Sequence, residues 1–188
     1  NIAITGSAGK TSVKELTGFC LSKLAKTYFS KNSFNNKYGV PLSIFNTPED
    51  AKFVTLEVGM DKKGEIDKLT KLIKPNLGLI TNISYAHIKN FKNLNQIAKA
   101  KSEIIDNIIS GGTIVINRDD KYYSYFFKKA KNQKLKIITF SKKNKNANVV
   151  FLNEKKIKNK YLINLKINHK IKSFLISKEL VNYKQNIL

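Results

Sequence analysis

Hydrophobic residues in the first 140 positions fall into short unbroken runs that alternate with longer amphipathic stretches. The runs lie at 1–5, 51–58, 77–83, 112–117 and 135–140. Runs of this length, bounded by loops, are typical of strands buried on both faces of a sheet. The amphipathic stretches predict helices at about 11–26, 64–73, 94–110 and 119–130. Strand and helix alternating in this order favour parallel βαβ units in a doubly wound sheet.

The pattern changes after about residue 145. Strand-like runs follow one another with charged turns between them and no helical spacers, at 149–152, 160–167 and 171–176. We therefore expect an antiparallel meander at the edge of the sheet, and a final helix from about Lys178. The predicted organisation is a parallel α/β core over 1–145, antiparallel strands over 146–177 and the start of a helix over 178–188.

The first predicted helix carries hydrophobic residues at helical spacing. They are Val13, Leu16, Cys20 and Leu24. This stripe predicts the face that packs on the sheet, so we interpret Cys20 as a packed thiol rather than a nucleophile. A single cysteine also excludes a disulfide scaffold and a cysteine-based zinc site.

Composition narrows the class of protein but does not name its function. The 188 residues, 41% of them hydrophobic, suffice for one domain with a real core, and no apolar run approaches the roughly 20 residues of a membrane span. The net charge is +22, yet Arg118 is the only arginine among 35 basic residues. Because nucleic-acid readers rely on arginine, we interpret the charge as compositional drift. A basic nucleic-acid-binding module and a surface that attracts anionic ligands stay as alternatives.

A glycine-rich loop joins the first strand to the first helix, with the sequence Thr-Gly-Ser-Ala-Gly-Lys-Thr-Ser over 5–12. Glycines let backbone N–H groups surround an anion, and the helix N-terminus adds its partial positive charge. Lys10 would reach the β- and γ-phosphates, and the hydroxyl of Thr11 or Ser12 would ligate Mg²⁺. The loop is shorter than the full P-loop pattern, because Ile4 stands where the outer glycine would be. We predict a P-loop-type nucleotide site and keep a plain glycine turn as the alternative.

Lys101 lies in the middle of an apolar helix face, whereas Lys99 points the opposite way. The other members of that face are Leu94, Ile97, Ala98, Ile105 and Ile108. Burying a lysine there costs free energy unless its amine is paired or neutralised. The alternative is that the stem lies along the apolar face and the amine reaches solvent. Two further polar residues, Asp119 and Asp120, follow the strand at 112–117 and are predicted to be N-caps of the next helix.

Four segments together resemble the Mur ligases, the ATP-dependent amide-forming enzymes of peptidoglycan synthesis. They are 5–12, 33–42, 56–66 and 82–104, with the sequence patterns Thr-Gly-x-x-Gly-Lys-Thr-Ser, Asn-Asn-x-x-Gly-x-Pro-Leu, Glu-x-Gly-Met-x-x-x-Gly-Glu-Ile and Asn…Ala-His…Ala-Lys-x-Glu-Ile. The resemblance covers 1–125, and the meander more loosely, and it matches only the family's central ATPase domain. Family members also carry an amino-terminal UDP-sugar domain and a carboxyl-terminal domain that closes over ATP. Without them, we expect this fragment to be inactive.

The resemblance implies ATP and two Mg²⁺ ions as ligands of this domain. The residues implied for the nucleotide are Thr5, Gly6, Ser7, Ala8, Gly9, Lys10, Thr11, Ser12 and, on the adenine side, Asn186. Those implied for the metals are Thr11, Glu57, His87 and Lys101, the last if CO₂ converts it to a carbamate; Lys10, Glu57, His87 and Lys101 would be catalytic. Without the resemblance, Glu57 would be a solvated strand-end residue and His87 a structural one. The adenine contacts are weakened because Asn182 stands where the family has histidine.

Asn35 and Asn36 are implied as contacts to the peptide–sugar substrate or the phosphates, with ordinary turn residues as the alternative. Their segment, with 60–66, points to the branch of the family that joins D-alanyl-D-alanine to UDP-N-acetylmuramoyl-tripeptide through an acyl phosphate. The implied protein is a monomeric, ADP-forming ligase of the bacterial cytoplasm that binds no nucleic acid and does not span a membrane. A third-residue-adding ligase, a folylpolyglutamate synthase, and a non-ligase P-loop ATPase or kinase stay as alternatives.

Overall fold

A computed structural model describes residues 1–85 and 90–178 of the chain. In chain order its strands are β1 (Ile2–Thr5), β2 (Thr27–Phe29), β3 (Phe53–Glu57), β4 (Leu77–Ile80), β5 (Thr113–Asn117), β6 (Lys136–Ser141), β7 (Val149–Ile157), β8 (Lys160–Ile167) and β9 (Lys170–Ser177). Its helices are α1 (Lys10–Ser22), α2 (Gly39–Phe45), α3 (Glu65–Ile73), α4 (Leu94–Lys101), α5 (Glu103–Asp106) and α6 (Tyr123–Asn132). All the strands belong to one sheet, in the order β2-β3-β1-β4-β5-β6-β7-β8-β9.

Strand pairing is parallel from β2 across to β7 and antiparallel between β7, β8 and β9. The predicted mostly parallel α/β sheet with an antiparallel meander is therefore confirmed. Each meander strand is at least as long as its hydrophobic run, because the strands of a hairpin can keep pairing through exposed lysines such as Lys155 and Lys156.

The register of β1 determines where polar side chains can meet. Ile4 pairs with Glu57 of β3 and with Leu79 of β4, so the carboxyl ends of these strands lie side by side. In an open parallel sheet this edge is where ligands bind. The core beneath it joins the central strands to α2–α6, and includes Leu56, Ile66, Ile97, Ile104 and Phe126.

The predicted packing face of α1 is only partly right. Val13 is buried as predicted, but Cys20 is exposed, and Leu24, 77% exposed, lies beyond the end of the helix. Lys14 and Gly18, which are not in the predicted stripe, are buried. Gly18 lies so close to the ring of Phe29 that a Cβ there would clash with it. The helix thus approaches β2 through a residue with no side chain, which an apolar stripe cannot reveal.

Other differences concern short elements. The hydrophobic pattern does not predict α2, or the three residues of β2. The helix expected over 94–110 is divided at Ser102, whose hydroxyl donates to Lys99 O at 2.7 Å. Most of the final helix expected from Lys178 lies outside the described residues. Within 1–85 and 90–178, no helix has the length and apolar character needed to cross a membrane.

Candidate active site

The glycine-rich loop forms a tight connection between β1 and α1. Gly9 has φ 80°, in the left-handed region, and directly precedes the first residue of the helix, Lys10. Gly6 has φ 146°, and a Cβ on it would clash with the side-chain oxygen of Thr81. Both glycines are therefore required by the backbone, as expected for a loop whose N–H groups face an anion.

The segment after β4 packs against this loop, a partnership that the sequence analysis did not predict. Thr81 Oγ1 donates to Ala8 O at 2.6 Å, and Ala8 N donates to Asn82 Oδ1 at 3.1 Å. Ser7 Oγ donates to Ser84 O at 3.0 Å and accepts from Ser84 N at 2.9 Å. The loop is thus held by the segment after β4. Asn82, a residue of the 82–104 segment that resembles the Mur ligases, therefore fixes the phosphate loop.

A buried carboxylate lies at the centre of the site. Glu57 ends β3 and is 1% exposed. Its Oε2 accepts from Thr11 Oγ1 and its Oε1 from Asn35 Nδ2, each at 2.7 Å. Burial lowers the pKa of Lys10, and the charge of Glu57 acts in the opposite direction. Residues predicted from three separate segments therefore converge, and of the two candidate hydroxyls it is Thr11 that reaches Glu57.

The donor set fits a Mg²⁺ ion. Mg²⁺ prefers carboxylate and hydroxyl oxygens, and Glu57 with Thr11 supplies both beside the phosphate loop. Among the described residues the hydrogen-bond partners of Glu57 are two neutral donors, so its negative charge is available to a bound cation. In the part of the chain that the structure describes, no group of three histidine, cysteine or acidic residues forms a metal site. His87 lies outside that part, as does Asn186.

Lys101 is buried against the phosphate loop. Its side chain is 1% exposed, and Nζ donates to Gly6 O at 2.8 Å, so its head does not reach solvent. Burial, and secondarily the charge of Lys10, lowers the pKa of Lys101 to about 7. At neutral pH a large fraction of these amines is unprotonated, and an unprotonated amine is nucleophilic.

Asn35 and Asn36 have different environments. Asn35 holds Glu57 through its side chain, and its carbonyl accepts from Gly59 N at 2.8 Å. Asn36 Oδ1 accepts from the backbone N–H groups of Tyr38 and Gly39 at 3.0 and 2.9 Å, at the start of α2. Both residues line a cleft of about 580 Å³ that Lys10 also borders. The remaining lining residues are Lys37, Tyr38, Gly59, Met60, Asp61, Glu65, Lys68 and Leu69.

Two buried charged residues were not singled out as functional in the sequence analysis. The carboxylate of Glu103 accepts from the backbone N–H groups of Gly64 and Asp67, at the N-terminus of α3, which borders the cleft. Glu103 belongs to the fourth quoted segment, and its place on a helix beside apolar residues was an available signal. Lys14 is the second: it belongs to α1, and its side chain is completely buried. The sequence did not indicate its burial, because Lys14 lies outside the stripe of hydrophobic residues that predicted the packing face of α1.

The prediction that Asp119 and Asp120 are N-caps is wrong for Asp119 and only partly right for Asp120. The helix α6 begins at Tyr123 with Tyr122 as its N-cap residue, and Asp120 Oδ1 accepts from Tyr122 N at 2.8 Å, in the turn that leads into the helix. Asp119 instead accepts from Ser141 Oγ and Lys142 N, each at 2.6 Å. Asp120 accepts from Ile83 N at 2.8 Å. The two aspartates therefore link the loops after β4, β5 and β6 around a cavity of about 310 Å³.

Comparison with known proteins gives consistent results. The family model described as Mur ligase middle domain matches residues 4–183. A UDP-N-acetylmuramoyl-tripeptide–D-alanyl-D-alanine ligase of Borreliella burgdorferi is 43% identical over 145 residues, which are 76% of this chain and 31% of that protein. The chain therefore spans less than a third of that relative's length.

Solved structures share the fold. A MurF from Acinetobacter baumannii matches with a TM-score of 0.88 and 28% identity, over 98% of this chain and 40% of that one. A MurF ligase from Thermotoga maritima, solved in complex with ADP, matches with a TM-score of 0.83 and 21% identity, over 99% of this chain and 43% of that one. The second likeness concerns the fold alone.

Proposed function

The chain belongs to the Mur ligase middle-domain family, and we propose that it is the ATP-binding domain of a ligase that joins D-alanyl-D-alanine to UDP-N-acetylmuramoyl-tripeptide. The single observation that carries this proposal is the convergence of Lys10, Thr11, Asn35 and Glu57 between the phosphate loop and the cleft. The substrates are those named for the Borreliella relative. The proposed protein is a bacterial cytoplasmic enzyme of peptidoglycan precursor synthesis that acts as a monomer.

The proposed reaction has two steps. A carboxylate oxygen of the muramoyl tripeptide attacks the γ-phosphorus of ATP, the bond from that phosphorus to the bridging oxygen breaks, and ADP leaves. The amine of D-alanyl-D-alanine then attacks the acyl carbon of the acyl phosphate, loses a proton, and expels phosphate. Phosphoryl transfer of this kind needs positioning and charge neutralisation more than covalent participation by the protein.

The side chains of this chain divide that work. Backbone N–H groups at the start of α1, over 9–12, would hold the phosphates, and Lys10 would neutralise charge that develops on them. Ser7 N and Ala8 N donate to Asn82 in this structure, so they would join only if those bonds were exchanged. Glu57 and Thr11 would hold Mg²⁺, with His87 as a further ligand. Bound Mg²⁺ would neutralise phosphate charge and polarise the γ-phosphoryl group. Asn35 would keep the Glu57 carboxylate oriented, and with Asn36 it would contact the acceptor in the cleft.

We propose that Lys101 is carbamylated in the working enzyme. Its neutral amine would attack CO₂, forming one N–C bond and releasing one proton, and the cation would become a carboxylate beside the phosphate loop. The lowered pKa and the contact with Gly6 support this. A native mass spectrum should show the added mass of one CO₂, and ¹³C-bicarbonate should give a carbamate NMR signal that Lys101→Met lacks. If the amine stays unmodified at saturating bicarbonate, Lys101 acts only through its bond to Gly6 O.

The function is tested by phosphate release from the full-length protein. Mg·ATP, UDP-N-acetylmuramoyl-tripeptide and D-alanyl-D-alanine are supplied together and then omitted one at a time. We expect release only when all three are present. Release that needs a different amino acid in place of the dipeptide would assign the chain to another branch of the family. Release in the absence of both the tripeptide and D-alanyl-D-alanine would mean that the protein is an ATPase and not a ligase.

A further inference from the structure

Lys14 is a buried cation that the proposed mechanism does not use. It follows Lys10 by one helical turn and is 0% exposed. Its Nζ donates to the carbonyl oxygens of Ser30 and Asn32, the latter at 2.6 Å, and it forms an ion pair with Glu15 Oε1 at 2.8 Å. These three acceptors match the three N–H donors of an ammonium group. Burying such a group is costly unless it is paired in this way, and an apolar side chain would fill the same space without that cost.

The two carbonyl groups that accept from Lys14 belong to the first residues of a segment that also carries Asn35 and Asn36, the residues proposed to contact the tripeptide. This segment, 30–36, follows β2 and leads toward α2, and Asn32 within it has φ 48°, in the left-handed region that asparagine adopts more readily than most residues with a side chain. One residue further on, Ser33 Oγ lies 3.3 Å from Thr11 Oγ1. Asn35 then reaches Glu57 and Gly59. The contacts that Ser33 and Asn35 make with the site therefore depend on the position of the first residues of the segment.

Few other contacts can replace Lys14 at that place. Among the described residues, the hydrogen bonds between α1 and this segment are those of Lys14 and the contact of Thr11 with Ser33. The hydroxyl of Ser30 is buried without a hydrogen-bond partner among those residues, as is that of Thr55, the residue whose carbonyl accepts from Ser30 N. The hydrogen bonds from the described part of α1 to Ser30 and Asn32 are thus those of one ammonium group, while the preceding strand β2 packs on the helix at Gly18.

We propose that Lys14 is a positioning residue that keeps segment 30–36 in register with α1, so that Asn35 stays on Glu57 and the cleft keeps its shape. This inference rests on the proposed function. The phosphate loop itself is held from the other side by Thr81 and Asn82. Loss of the Lys14 head should therefore weaken binding of the tripeptide more than binding of ATP at saturating Mg²⁺, because the loop that would hold the phosphates keeps its own contacts.

The test compares Lys14→Met, Lys14→Arg and the control Lys23→Met in the full-length protein. Lys23 is exposed at the C-terminal end of the same helix. Lys14→Met should raise KM for UDP-N-acetylmuramoyl-tripeptide about tenfold while changing KM for ATP by about twofold or less, since a displaced segment weakens binding of the group it contacts. Arginine retains donors for both carbonyl groups and should restore most of the loss. Lys23→Met should match the wild-type protein.

Amide hydrogen exchange provides a second readout. Residues 30–36 should exchange faster in Lys14→Met than in Lys23→Met, while β1 and β4 stay protected in both variants. If Lys14→Met does not fold, Lys14→Gln replaces it. Glutamine keeps a donor for part of the contact, so KM for the tripeptide should rise by less than about tenfold but still more than KM for ATP. Equal increases in both KM values, unchanged KM values, or a defect that arginine leaves intact would overturn the proposal.

The two proposals can fail separately. If the wild-type protein releases phosphate without the tripeptide, the proposed function fails, but the exchange comparison still tests whether Lys14 holds segment 30–36. If wild-type release needs all three substrates and the Lys14→Met exchange pattern is unchanged, only the inference about Lys14 fails.

Discussion

Charged side chains have opposite environments in the parallel part of the sheet and in the meander. Beside the parallel strands, Lys14, Glu57, Lys101 and Glu103 are buried, and each has a hydrogen-bond partner. In β7–β9 the charged residues are exposed or only partly buried, as in Lys155, Lys160 and Lys172. Burying a charge costs free energy that solvated lysines do not incur. The contrast therefore separates charges that the site requires from charges that composition supplies.

This contrast also changes how the net charge of +22 is interpreted. A count of basic residues gives Lys14 and Lys155 equal weight, although only one of them is enclosed by protein atoms. The buried set consists of two lysines and two glutamates, and it lies around α1, the phosphate loop and the start of α3. Substitutions on the two sides should thus differ widely in effect.

The largest effect is expected at Lys10. Lys10→Ala in the full-length protein should lower ADP formation about a thousandfold, because Lys10 directly follows the glycine loop, borders the cleft and would neutralise the transferring phosphoryl group. The circular dichroism spectrum should stay unchanged, since Lys10 is only partly buried. Lys155→Ala in the meander is the matched loss of one positive charge. Near-normal turnover in Lys10→Ala would remove the phosphate-loop assignment.

Glu57→Gln tests the carboxylate at the centre of the site. Glutamine keeps the shape and one acceptor oxygen but removes the negative charge, so turnover should fall about a hundredfold or more and the Mg²⁺ concentration for half-maximal rate should rise. Titration of Mg²⁺ at fixed ATP measures both quantities. An unchanged Mg²⁺ requirement would mean that Glu57 serves only to hold Asn35 and Thr11.

The pH dependence of stability tests Lys101. Its pKa is about 7 in the folded chain and about 10.5 when unfolded, so the unfolded chain binds more protons between these values. The contribution of Lys101 to stability should accordingly rise with pH from about 7 to 10.5, by up to about 1.4 kcal/mol per pH unit. Below pH 7 the amine is protonated in both states and its contribution is constant.

Urea unfolding in CO₂-free buffer, compared with Lys101→Met, measures this slope. The difference in unfolding free energy between the two proteins should change with pH. Lys99→Met, on the exposed side of α4, should follow the wild-type curve instead. Parallel curves for wild type and Lys101→Met would show that the Lys101 amine stays protonated when buried.

A smaller loss of stability is expected at Glu103. Glu103→Ala leaves the backbone N–H groups of Gly64 and Asp67 without their acceptor, so unfolding free energy should fall by about 1–3 kcal/mol. Asp106→Ala is the control, since Asp106 lies on the same helix and pairs with Lys129 near the surface. Equal losses in the two variants would contradict the view that the buried carboxylate anchors α3.

The sequence predicts the strands of the sheet better than it predicts the contacts of the site. Hydrophobic runs locate β1, β3, β4, β5 and β6, because strands covered on both faces consist almost wholly of apolar residues. The run of three residues in β2 carries too little signal, and Gly18 defines the packing of α1 by the absence of a side chain. Helix periodicity could indicate Lys101 but misplaced Lys14, since a buried lysine looks like a polar position.

Within the site, motif spacing locates the loop and the residues at strand ends, while three-dimensional pairing stays hidden. That Thr11 and Asn35 share one carboxylate depends on the register of β1 with β3. The role of Asn82 on Ala8 and that of Glu103 on α3 join residues 74 and 39 positions apart. Such contacts depend on which strands and helices are neighbours in the fold. A single sequence gives the order of the strands along the chain but not their neighbours in the sheet.

The smallest effect is expected in the meander, and it tests the comparison from its other side. Lys155→Ser with Lys156→Ser removes two charges from β7, where both side chains are solvated. Stability should change by less than about 0.5 kcal/mol, and KM for ATP and for the tripeptide should stay the same, because solvated lysines make weak contributions and neither residue lies near the phosphate loop. A KM for the tripeptide that rises while stability is unchanged would mean that the basic surface attracts the anionic acceptor at long range. Such a rise should disappear at high salt, because screening removes long-range attraction but not a direct contact.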